Sequence, residues 1–252
     1  MNLDEYLRKE LNLTKKESYE IAYAVEQYKK TKKRKLNIRI PKYTIGEEIF
    51  NSVSHGIGAI LSIVALILMV IKANGALAET TVAIFGSTMI ILYTISCVYH
   101  ALSCKLEGKK ILRILDHCNV YLLVYGTYIP ISLLGIGGTL GWILFGFVSV
   151  ITLIGIILTS IKIDQFQLLE VICHLLNGWS ILIGIPKLLQ TINLSGLFFL
   201  ILGGVMYTLG SILYGIGANK KYMHSIFHIF CLFGTFFHFW TIYCYVLCII
   251  KK

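Results

Sequence analysis

The sequence predicts an all-α integral membrane protein, a bundle of seven transmembrane helices behind a basic cytoplasmic tail. Three observations carry that prediction. Hydrophobic residues make up 56% of the chain, and its mean hydropathy is +0.75. Only 14% of its residues are charged, against roughly a quarter in an average soluble protein. Beyond residue 43, seven apolar stretches follow one another, each near the ~20 residues that a helix needs to cross a bilayer.

The chain divides between residues 43 and 44. The tail, 1–43, holds 12 of the 23 Lys and Arg. Its polar, charged start does not read as a signal peptide. Thr14-Lys15-Lys16-Glu17 has the form of a capping box. It predicts a helix from about Thr14 to Lys30, with Ile21, Ala24, Val25 and Tyr28 as a narrow apolar stripe. Lys29-Lys30-Thr31-Lys32-Lys33-Arg34-Lys35 follows. Beside a membrane such a cluster attracts anionic headgroups, at about 1 kcal/mol per basic residue; otherwise it only enforces topology. The formal charge of +10 is thus a membrane-surface signal and not a nucleic-acid one.

The domain, 44–252, carries the spans, at about 46–71, 80–103, 111–135, 140–161, 168–189, 195–217 and 224–250. Asn74-Gly75 marks the first turn, and a glycine-rich turn runs from Gly135 to Gly141. Pro130 is expected to kink the third span, which membrane helices tolerate where neighbours satisfy the freed backbone. Basic residues set the orientation. The tail and the loops after the second, fourth and sixth spans hold 19 of them, and the opposite side holds four: Lys72, Lys187, Lys251 and Lys252. The N-terminus is therefore expected inside and the C-terminus outside. The seven cysteines lie in or beside apolar segments and are expected to be free thiols that pack as small hydrophobes. That includes Cys244 and Cys248, although they are four residues apart.

All seven histidines, at 55, 100, 117, 174, 224, 228 and 238, lie in the spans. Ionisable groups there are costly and mark function by default. Four groups share one level, in the cytoplasmic leaflet. His100 ends the second span, Asp116 opens the third, and His224 and His228 open the seventh on one helix face. His238 lies ten residues past His228, about 15 Å deeper. Three neutral imidazoles with an open fourth position describe a catalytic zinc. Asp116 is then placed to act as general base on a water at the metal, or as a further ligand. Ser96 shares the face of His100, about 6 Å deeper, and is placed for a substrate carbonyl or that water. The competing reading is a buried hydrogen-bond network that only locks helices together.

On the first span, Glu48, Asn51, Ser52 and His55 share a face, with Glu47 beside them. They suit a set of hydrogen-bond partners that orient metal ligands, or packing between helices. Glu170 and His174, four apart, read as a local pair. His117 is about 100° around the helix from Asp116 and is expected to pack against or bond a neighbour.

Several stretches together resemble the hemolysin III family, the bacterial branch of the progestin and adipoQ receptor group. They are Glu47 to Gly56, Ser96-Cys97-Val98-Tyr99-His100, Leu115-Asp116-His117-Cys118-Asn119-Val120-Tyr121, Gly126-Thr127-Tyr128-Ile129-Pro130, and His224 through Trp240. The resemblance covers about 44–250. It implies seven helices, an inside N-terminus and an intramembrane zinc near the cytoplasmic face. In the related adiponectin receptors the positions matching His100, His224 and His228 hold the zinc, and the one matching Asp116 meets its water. The family name implies cytolysis by a pore. Its relatives, alkaline ceramidases among them, imply hydrolysis of a lipid amide, with membrane lipids as substrate. A sensor with a structural zinc is the third reading. Polar groups crowd one leaflet, whereas a pore needs a hydrated stripe through the whole bilayer, so the residues favour the hydrolase.

Overall fold

The computed structural model describes residues 3–33, 38–165, 167–216 and 220–249. They form two compact units, residues 1–38 and 39–252. In the first, Leu3–Leu11 and Lys15–Lys33 are α-helices. Asn12 between them has φ 51°, the left-handed value that ends helices and that asparagine tolerates. The capping box at Thr14 is present: its N–H donates to the Glu17 carboxylate at 3.0 Å, and Glu17 N–H donates to Thr14 Oγ1 at 3.4 Å. The Thr14 hydroxyl and backbone N–H hold Glu17 below the usual carboxylate range. Ile21 and Tyr28 of the predicted stripe are exposed. Of the basic cluster, Arg34 and Lys35 lie outside the described residues.

Regular structure among the described residues is entirely helical. Seven helices are long and apolar enough to cross a membrane: Ile45–Lys72, Ala76–Ala101, Gly108–Ile136, Gly138–Ile161, Leu168–Thr191, Leu194–Gly215 and Met223–Ile249. The first, at 28 residues, is about 42 Å long, more than the ~30 Å of a bilayer's hydrocarbon core. Large apolar side chains such as Ile57, Ile60, Leu61 and Ile67 stand exposed on it. A patch of that kind is paired with lipid, not water. The chain is a multi-pass membrane protein.

Three spans change winding along their length. At Pro130 the third passes from α to π over Ile131–Ile136. Proline has no N–H to give and its ring displaces the preceding turn's carbonyl, so the helix widens there. The seventh is π over Ile242–Val246. The fifth has a 3-10 turn at Ser180–Gly184 and restarts at Ile185 with Pro186 in its first turn, where the missing N–H costs nothing.

The apolar core lies at one end of the bundle. Met69, Val82, Phe85, Ile131, Val148, Leu188, Ile242 and Val246 are each no more than 2% exposed. They come from the ends of the odd spans and the starts of the even ones. At the opposite end many of the buried residues are polar, among them Asn51, Ser96, His100, Lys109, Arg113, Ser225 and His228.

The turn between the third and fourth spans uses Gly137 (φ 64°) and Gly138 (φ 56°), values that only glycine takes without cost. Gly141 follows against the backbone. A Cβ there would lie 2.2 Å from the Ser132 carbonyl oxygen, whereas one at Gly146 would meet nothing within 4 Å. Gly141→Ala is therefore expected to cost about 1–3 kcal/mol by overpacking. Gly146→Ala is expected to be neutral or slightly stabilising. Thermal unfolding in detergent measures both; equal melting temperatures would refute the contact.

Candidate metal centre

The second span ends one residue after His100, and the seventh begins one residue before His224. That arrangement brings the three imidazoles together. Their ligand atoms lie within 4.8 Å of one another, the one such cluster among the described residues. His224 Nε2 is 3.4 Å from His100 Nε2 and 3.0 Å from His228 Nε2. His100 and His228 are buried.

The first span supplies the next layer. Its start is fastened by a second capping box, Thr44 N–H to Glu47 Oε2 at 2.8 Å and Glu47 N–H to Thr44 Oγ1 at 3.3 Å. The other Glu47 oxygen accepts Tyr222 N–H at 2.7 Å, which ties the starts of the first and seventh spans. One turn on, Glu48 Oε2 lies 2.7 Å from His100 Nδ1. The Asn51 amide is 3.5 Å from the same nitrogen. Ser52 Oγ donates to the Cys97 carbonyl at 3.0 Å. His55 makes no such bond to the triad. Its ring stacks on His228, centroids 3.7 Å apart and 12° from parallel, with its edge to Tyr93.

Ser96 and Asp116 line a cavity of about 150 Å³ together with His55, His224 and His228. The rest of its wall, including Leu92, Val120, Val124, Ile131 and Leu200, is largely apolar. From Asp116 to Ile131 the third span climbs about 22 Å, so the cavity is deep. His238 lines this cavity too, apart from the triad. His117 Nδ1 is 3.0 Å from Glu170 Oε1, and His174 Nε2 is 3.8 Å from it. The nearer partner of Glu170 is thus on the third span, and the Glu170–His174 reading captured only the longer contact. Cys244 and Cys248 are free thiols outside the triad.

Sequence reasoning missed two residues. Lys109, counted only as a loop charge, is buried with its Nζ 2.5 Å from Glu48 Oε1 and 2.8 Å from the Leu102 carbonyl. A carboxylate on the inward face of the first span was the available signal, since a buried charge requires a partner. Tyr43, just ahead of the first span, stacks on His224 with centroids 5.0 Å apart. The segment bearing it is pinned by the Asp164 carboxylate, which accepts Arg39 N–H at 2.9 Å and Arg113 Nη1–H at 2.6 Å; Arg113 Nη1 also reaches the Arg39 carbonyl. Partial burial pushes Asp164 upward, but these donors outweigh it and hold the carboxyl below its usual range.

The Haemolysin-III related family model matches residues 43–239. Hemolysin-3 of Bacillus cereus is 35% identical over 206 residues, 81% of this chain and 93% of that protein. The Hemolysin-3 homolog of Bacillus subtilis (strain 168) is 37% identical over 196 residues, 77% and 91% of the two chains. Monocyte to macrophage differentiation factor of Rattus norvegicus is 25% identical over 234 residues, 87% and 95%. The match spans all seven helices to within the last, and with them every residue of the triad: the chain belongs to the Haemolysin-III related family of multi-pass membrane proteins.

Proposed function

We propose that this protein is a zinc-dependent hydrolase of lipid amides, with its histidine centre and N-terminus on the cytoplasmic side of the cell membrane. The observation that carries this reading is the convergence of three imidazoles, two of which, His224 and His228, line a deep, mostly apolar cavity that also presents Asp116 and Ser96. The donor set fits zinc. Tetrahedral ligands at the ~2.0–2.1 Å of a zinc–imidazole bond stand about 3.3 Å apart, close to the 3.0 and 3.4 Å separations here. Glu48 Oε2 accepts a hydrogen bond from His100 Nδ1–H, which leaves Nε2 as the donor atom to the metal. Zinc, when bound, supplies Lewis acidity toward a carbonyl and toward water.

The side chains perform the rest. The apolar wall takes the acyl chain and excludes bulk water. Ser96 O–H donates to the amide carbonyl oxygen. Asp116 accepts a proton from the attacking water and passes it to the departing amine. A carbon–oxygen bond forms, the carbon–nitrogen bond breaks, and fatty acid and amine leave. The test is release of fatty acid by the purified protein in defined lipids, with and without a chelator. Chelator-sensitive release is the expected result; none across amide and ester lipids counts against the enzyme.

Similarity to proteins called Hemolysin-3 favours a second reading, a cytolytic pore. Against it, the end of the bundle away from the histidines is filled by Met69, Phe85, Ile242 and Val246, so a single bundle has no hydrated path. Dye leakage from liposomes alongside the hydrolysis assay separates the two.

The orientation rests on the 19-to-4 distribution of basic residues. A reporter at residue 20 is expected inside and one after Lys252 outside. Both on one side would rule this orientation out.

A further inference from the structure

We propose that Lys109 is a positioning residue for the histidine centre, acting through Glu48. The proposal rests on the zinc reading above. Lys109 and Lys110 are neighbours at the start of the third span, and they behave differently. Lys110 bonds Glu107 in a partly exposed pair at 3.0 Å. Lys109 turns inward, and its side chain is 0% exposed. A lysine so close to a span's end could reach water by extending outward, so its burial needs a compensating set of partners. It has one. The Nζ donates to Glu48 Oε1 and to the Leu102 carbonyl, and lies 5.0 Å from the centre of the Tyr99 ring. Three donors thus meet two oxygens and an aromatic face.

Two effects on His100 follow. With Oε1 held by Lys109, Glu48 presents Oε2 to His100 Nδ1 at 2.7 Å. That contact fixes the tautomer whose Nε2 lone pair faces His224 and His228. Leu102 is the C-cap of the second span, two residues past His100. By holding its carbonyl, Lys109 also fixes the height and rotation of the turn that carries His100. A single ammonium therefore joins the first, second and third spans behind one ligand, on the side away from the cavity.

The test is zinc affinity, by competition with a chromogenic chelator, together with the visible spectrum of the cobalt-substituted protein. Lys109→Met leaves the partly buried Glu48 carboxylate without its cation. Zinc affinity is expected to fall about 10–100-fold, the usual effect of losing an outer-shell partner, and the cobalt bands to shift. Lys110→Met is expected to change neither. The double variant Glu48→Gln/Lys109→Met is decisive, because a neutral amide oxygen still accepts the His100 proton without a cation. It is expected to bind zinc within about threefold of Glu48→Gln alone, a strongly non-additive cycle. Wild-type affinity in Lys109→Met would overturn the proposal. So would a double variant that falls by the product of the two single losses, which is the behaviour of a lysine that merely packs helices. If Lys109→Met does not fold, the double variant against Glu48→Gln still decides. A wild type that takes up no zinc removes the centre itself, whereas a zinc-loaded wild type with an indifferent Lys109 removes only the relay.

Discussion

Alanine at His100, His224 or His228 is expected to remove most of the zinc from the purified protein, and alanine at His238 to leave it. Wild type should carry about one zinc per chain by elemental analysis. Three neutral imidazoles with converging Nε2 atoms make a site that prefers zinc over harder cations, and a two-histidine remnant lacks the ligand count for tight binding. Loss of an outer partner costs 10–100-fold, so loss of a ligand should exceed that. His238 is the matched control, because it is another imidazole on the seventh span and it lines the same cavity as His224 and His228. If its loss also emptied the protein, the effect would be general instability and not coordination. Full zinc occupancy in the His224→Ala/His228→Ala double variant would overturn the site.

The second large effect belongs to Asp116. Asparagine keeps the shape of the side chain and cannot take a proton. Zinc should remain, since all three histidines do, while hydrolysis falls by about two to four orders of magnitude, the usual contribution of a positioned acid or base. Leakage through a pore should survive, because one carboxylate near one end does not line a conduction path. Wild type, Asp116→Asn and His228→Ala are therefore compared for fatty-acid release and dye leakage together. Release lost with leakage retained supports the hydrolase. Leakage without release in wild type promotes the pore.

Depth was legible in the sequence and azimuth was not. Span parity sets His100, Asp116, His224 and His228 at one level, and a periodicity argument puts Glu48, Asn51 and His55 on one face. Which neighbour each residue meets depends on helix rotation and crossing, to which a single apolar sequence is nearly silent. Hence hydrogen bonding and packing between helices both stayed open for His55, and it stacks on His228. Hence also Glu170 was paired with His174 along its own helix, while its shorter contact crosses to His117. Lys109 was invisible for a different reason. A lysine next to a span's end looks the same whether it faces water or turns in, and only the carboxylate opposite decides. The π turns at Ile131–Ile136 and Ile242–Val246 leave no apolar-pattern signature, since their residues are hydrophobic all round.

The segregation of packing has a consequence for how the bundle opens. The seventh span is held at one end by Ile242, Val246 and Leu247, in the apolar core, and at the other by the Glu47–Tyr222 hydrogen bond and by rings that stack on His224 and His228, with polar groups that water can reach around them. Cooperative stability is therefore graded along a single helix, and its weakest part is the turn that carries His224 and His228. A metal at those histidines cross-links the second and seventh spans where packing does least. Metal binding then stabilises the fold locally, by mass action on the frayed state. Amide protons from Met223 to about Phe230 would exchange on a clock set by metal concentration, and those beyond Thr241 on one set by the core.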